Sequence, residues 1–245
     1  LCRGVLALLL GVSSDLVDVA SAERLAFAHG GFADFRGVND TFYDILSAPG
    51  HGLAMRTTDV GYLVSVPKYV DGSVFTQAVV TVRGRSERHY EVVMDASEET
   101  VFVLDKGVSD PSSRPVRLVA SLVPGRRGAD GWTSDGVSVK QDSDVVCVRA
   151  AGWESNVTRR WLRNRMSGPS RWKLTTTVRP IAQGTRLAKV HGYASKTCYP
   201  HGLVGQSFDG DGVAVFGKVD DYSYDPKQTS MTTEAMAEGS IEGSV

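Results

Sequence analysis

Residues 75–104 read FTQAVVTVRGRSERHYEVVMDASEETVFVL. Three apolar or alternating runs, Phe75–Val82, His89–Met94 and Thr100–Leu104, stand apart from one another across polar breaks, the first opening at Gly84. Alternation with a period of two places every second side chain on one face of an extended strand. A helix of similar length would need its apolar residues three and four apart. Working outward, the same pattern predicts strands at Val60–Val66, Val116–Val123, Val137–Lys140, Asp144–Arg149, Leu174–Val178 and Leu187–Tyr193. Pro67, Asp71-Gly72, Lys106-Gly107, Pro111, Pro124-Gly125 and Asp135-Gly136 fall between them as predicted turns, each fixing φ or admitting φ > 0. No βαβ rhythm occurs, so a parallel nucleotide-binding sheet is not expected. The expected fold is all-β: an antiparallel sandwich or stacked meander of many short strands.

Composition agrees. The chain has 245 residues, 42% hydrophobic, with 34 valines and 26 glycines. Valine packs well on a pleated surface and glycine supplies turns. Lys plus Arg is 27 and Asp plus Glu is 28, a formal net charge of -1, which argues against nucleic acid as a partner. That neutrality hides a local imbalance. Between Arg149 and Lys189 ten basic residues face Glu154 alone, whereas from Asp209 to Val245 eight acidic residues face Lys218 and Lys227. One reading is a solvated basic face and an acidic end. The other is a basic surface for acidic polysaccharides, built on Trp153, Arg159, Arg160, Arg163 and Trp172 with Trp161 beside them.

Residues 1–22 carry Arg3, an apolar run from Val5 to Val12 and Ala20-Ser21-Ala22, the pattern of a secretory signal and its cleavage site. An amphipathic helix with Leu8, Val12, Leu16 and Val19 on one face is the alternative reading. No segment is long and apolar enough to be read as a membrane-spanning helix. The expected organisation is a signal over 1–22, one β domain over 23–223 and an acidic tail over 224–245. A secreted chain would leave Cys147 and Cys198 as a pair, either bridged or as two buried thiols. Asn39-Asp40-Thr41 and Asn156-Val157-Thr158 are N-glycosylation sequons.

Signs of catalysis are sparse. His29, His51, His89, His191 and His201 show no metal-ligand spacing, and there is no nucleophile elbow or P-loop. Dispersed carboxylates converging in space would be the one route to a secreted hydrolase. The constellation that stands out runs from Pro200 to Asp211, PHGLVGQSFDGD, followed by Asp220-Asp221-Tyr222. Four carboxylates on a glycine-rich stretch repel one another, and Ca²⁺ is a hard cation suited to relieve that repulsion.

This segment resembles the closing motif of von Willebrand factor type D domains at Gly202, Leu203, Gly205, Phe208, Gly210, Asp211, Asp220 and Asp221. It is also similar to the His-Gly-Leu-Leu-Gly-Gln motif of inter-alpha-trypsin-inhibitor heavy chains and to root-cap-type proteins. The stretch from His29 to Gly37, with Phe42-Tyr43-Asp44-Ile45-Leu46, is like the opening of type D domains. The resemblance implies a secreted, non-enzymatic structural or adhesive extracellular module, bound to protein or polysaccharide partners. It implies a structural Ca²⁺ held by Asp34, Gln206, Asp209, Asp211, Asp220 and Asp221. The two family cysteines fall on His201 and Val204, so this segment cannot perform the family's dithiol exchange.

Overall fold

The computed structural model describes residues 23–65, 68–108, 117–123, 131–162, 165–168, 170–181, 200–208 and 213–214. Its strands are β1 (Glu23–Ala26), β2 (Phe32–Phe35), β3 (Phe42–Ala48), β4 (His51–Ser65), β5 (Lys68–Arg83), β6 (Arg88–Asp95), β7 (Val101–Val108), β8 (Arg117–Leu122), β9 (Gly131–Ser134), β10 (Val137–Asp142), β11 (Val145–Ala150), β12 (Trp153–Trp161), β13 (Arg165–Ser167) and β14 (Trp172–Pro180). All pairings are antiparallel, and no α-helix occurs among the described residues. The all-β expectation holds.

The long hairpin β4–β5 is the spine. One edge of β5 pairs with β4 from His51↔Val82 to Ser65↔Lys68. Its other edge pairs with β6 over Gln77–Arg83, and lower down Phe75 meets Leu174 of β14. Two wings therefore leave that same edge of β5 at different heights, β6-β7-β8 from one part and β14-β12-β11-β10-β9 from the other. They curl towards each other into a nearly closed, barrel-like sheet, and Tyr90 on β6 meets Trp132 on β9 with ring centroids 5.1 Å apart. Closure of this kind shields strand edges that would otherwise offer unpaired N–H and C=O groups.

Alternation decides what lies inside. Val137, Val139 and Gln141 of β10 are buried while their neighbours are not. Leu53, Met55, Ala78, Val80, Val92, Val103, Val139 and Val148 are fully inaccessible in one continuous core. The expected turn at Asp71-Gly72 is instead inside β5, paired with Gly61 and Val60. Likewise Lys106-Gly107 lies within β7: the register slips beside it and Gly107 takes φ +83°, a bulge in place of a chain reversal. At Asp135-Gly136 the expected turn is present, with φ +52° and +82° closing the β9–β10 hairpin. The expected strand Leu187–Tyr193 lies outside the described residues.

Candidate functional site

The chain's two informative ends meet. Residues 200–208 lie along β3: Ser47 and His201 exchange backbone hydrogen bonds of 2.9 and 2.8 Å. Leu203 and Val204 then donate to the carbonyls of Asp44 and Ile45 at 2.8 and 2.9 Å. Gly202 makes this approach feasible. Its φ is +95°, and a Cβ there would stand 2.8 Å from the Ile45 carbonyl. A single turn of 3-10 helix follows over Gly205–Ser207. The Ser207 hydroxyl donates to the Val204 carbonyl at 2.7 Å and accepts the Ala28 N–H at 3.0 Å, joining the turn to the β1–β2 connection. Leu203 and Val204 enter the core, and Phe208 packs edge-on against Trp153 at 5.2 Å. Burial raises the carboxyl pKa of Asp44.

The expected calcium ligands are only partly within view. Asp34 is buried, and its carboxylate holds Arg24 in a two-pronged ion pair, 2.8 Å to Nε and 3.1 Å to the terminal nitrogen. As a calcium ligand it would have to exchange that partner. Gln206 donates its side-chain amide to the Leu203 carbonyl at 3.3 Å. Asp209, Asp211, Asp220 and Asp221 lie outside the described residues. Among the described residues no three His, Cys, Asp or Glu side chains converge to hold a metal ion.

The expected polysaccharide surface is dispersed. Trp153 is 1% exposed and belongs to the core, so it offers no platform to a sugar. Arg159 and Arg160 are adjacent on β12 and therefore project from opposite faces, so they cannot act as one patch. The Arg159 guanidinium turns inward, donating to the Ala96 carbonyl at 2.7 Å and stacking 3.7 Å over the Trp172 ring. Trp172 is half-buried and meets Trp161 edge-on at 4.9 Å. The ring left accessible is Trp161, 45% exposed, with Arg160 next to it. Arg163 lies outside the described residues.

The lone acid of the basic block proves to be its organiser. Glu154 sits between Arg149 of β11 and Arg179 of β14, its register partners on either side. Both Nε atoms donate to its carboxylate at 2.6 Å, and the Asn156 amide adds a third bond at 3.0 Å. The bond from Arg179 leads in holding this carboxyl at about 2, against desolvation that works the other way. Counting charges along the sequence missed this because the three residues meet across strands. The same Asn156 nitrogen would carry a glycan at the second sequon, and it is engaged in mid-sheet. Asn39, by contrast, is exposed between β2 and β3, its side-chain oxygen accepting from the Asp59 N–H at 2.9 Å.

Cys147 is a free thiol on β11 whose pKa burial raises; Cys198 lies outside the described residues. His51 is fully buried, its Nε2 at 2.8 Å from the Ser155 hydroxyl, and burial lowers its pKa to about 4 against the opposing Ala150 backbone. Two hollows remain. A shallow cleft of about 420 Å³ lies at the β5–β6, β9–β10 and β11–β12 turns, with Arg83, Arg85 and Arg149 around it. Its carboxylate, Asp135, is already bound to the Ser86 hydroxyl and N–H, which lowers its pKa. A smaller cavity of about 30 Å³ lies at the other end of the wings, beside Gln141 and Arg159. No family model matches the chain, and neither does any curated protein or solved structure.

Proposed function

We propose that this chain is a secreted, non-enzymatic module with a structural or adhesive role, similar in plan to von Willebrand type D domains and stabilised by calcium. The observation that carries the reading is the docking of residues 201–208 onto β3 and the β1–β2 connection. These are the two stretches on which the resemblance rests, far apart in sequence and hydrogen-bonded in space. Gln206 lies within this docked segment, beside Ser207, which accepts the Ala28 N–H. The four carboxylates that follow this segment in the sequence are of the type that suits Ca²⁺, which takes six to eight oxygens from flexible loops.

Thermal unfolding with calcium and with chelator tests the proposal. Binding to the native state alone at 100 times Kd adds about 2.7 kcal/mol, and Asp209→Ala with Asp211→Ala should abolish the gain. An unchanged melting temperature in calcium, in chelator and in the double variant would overturn the calcium role. A second reading, polysaccharide binding, draws support from the exposed Trp161 ring braced by Trp172. It predicts that Trp161→Ala abolishes retention on an acidic polysaccharide column, while Trp153→Phe leaves retention unchanged.

A further inference from the structure

The small cavity lies between the β6–β7 turn, the β10–β11 turn and the inner face of β12 and β14. Met94, Val101 and Val146 form apolar wall, while Asp95, Glu98, Glu99 and Asp144 stand at its mouth. Gln141 reaches into it from β10 and is 7% exposed. Its side-chain nitrogen donates to the Glu99 carbonyl at 2.9 Å, which fixes the amide orientation. The side-chain oxygen therefore points the other way, buried and without a hydrogen-bond partner. A buried acceptor without a donor is a costly arrangement, and its chemistry calls for an N–H, an O–H or a cation.

Charge selects among these. Arg159 is the cation already present, 12% exposed, with its guanidinium 3.5 Å from Glu99 and 3.8 Å from Asp144. Four carboxylates against one guanidinium leave three negative charges around the mouth. Size selects further. About 30 Å³ holds two or three water-sized groups, enough for an ammonium and its last methylene. A metal ion is the poorer fit, because no three ligating side chains converge among the described residues. A primary ammonium carries its own three donors, needs only acceptors, and trails an aliphatic stem that suits the apolar wall.

We propose that this cavity is a socket for a primary ammonium, the lysine side chain of a partner protein, with the Gln141 oxygen as its innermost acceptor and Glu99 and Asp144 as its rim. The socket stands independently of calcium at the closing segment and of secretion. The test is a titration of the full-length chain with Nα-acetyl-lysine methylamide at low salt, followed by the nitrogen–proton signals of the Gln141 side-chain amide. The expected result is a saturable shift confined to Gln141 and the two turns. Glu99→Gln with Asp144→Asn should weaken binding about tenfold, since each rim charge lies close to the ammonium. Both carboxylates are largely exposed, 67% and 52%, so the variant keeps its fold. The uncharged norleucine analogue should produce no shift, and Asp209→Ala with Asp211→Ala should leave lysine binding intact. An absent shift, an equal shift with the norleucine compound, or binding indifferent to the rim variant would overturn the proposal in favour of a bridging water. Displacement of the lysine compound by calcium from the same residues would overturn it in favour of a metal site.

Discussion

Replacing Glu154 by Gln removes one negative charge from a site where three donors converge, and the structure sets the size and pH range of the effect. The Glu154 side chain is 2% exposed and accepts from Arg149, Arg179 and Asn156. Its pKa falls from 4.5 to about 2 on folding, worth at most about 3 kcal/mol by linkage. Both guanidiniums stand half in solvent, at 50% and 64% exposure, so screening trims the figure to about 1–2 kcal/mol. Because the folded pKa lies below the unfolded one, the stabilisation is complete above about pH 4.5. It is lost as pH falls towards 2. Urea unfolding of wild type and Glu154→Gln should therefore differ by about 1–2 kcal/mol at pH 7 and converge near pH 2. An equal deficit at both pH values would refute the electrostatic reasoning and assign the loss to packing.

Three further outcomes follow from the same geometry. Gly202→Ala should destabilise by about 2 kcal/mol or more, since it combines a left-handed φ with a 2.8 Å approach to Ile45. Gly30→Ala is its control: φ is +85° but a Cβ there meets nothing within 4 Å, so only the backbone penalty of about 1 kcal/mol should appear in chemical denaturation. Ser207→Ala should cost about 1–3 kcal/mol in the same assay, because it strands the buried Ala28 N–H. For His51, folding lowers the pKa from 6.5 to about 4, so the folded state resists protonation that the unfolded chain accepts. Its stabilisation is present above pH 6.5 and fades down to pH 4, and His51→Gln should flatten the stability profile in that window.

What the sequence made legible follows from how local each signal is. Alternation in β5, β6 and β10 announced strands, and Asp135-Gly136 announced a hairpin because both residues tolerate φ > 0. The β11–β12 turn went unread since Ala151, at φ +49°, is not a residue that advertises such a turn. At Asp71-Gly72 the residue types pointed to a turn, whereas pairing with β4 along its whole length keeps that stretch extended. Site residues were harder. Glu154 gains its meaning from Arg149 and Arg179 on neighbouring strands, and Trp153 its burial from Phe208, contacts that spacing along the chain does not encode. Arg159 and Arg160 look like one cluster in sequence and are separated by the pleat. The His29–Leu46 and 201–208 regions were each legible as a motif, and their hydrogen-bonded meeting is a finding of the structure.

The central claim is that residues 201–208 are an integral part of the folded domain and anchor the segment proposed to bind calcium. Native-state hydrogen exchange of the Leu203, Val204 and Ala28 amides tests it most directly. Those three donate to Asp44, Ile45 and Ser207, so the account predicts exchange only through global unfolding, with the same opening free energy as the β4–β5 amides and a common rise in calcium. Rapid exchange of Leu203 and Val204 while the β4–β5 amides stay protected would contradict it.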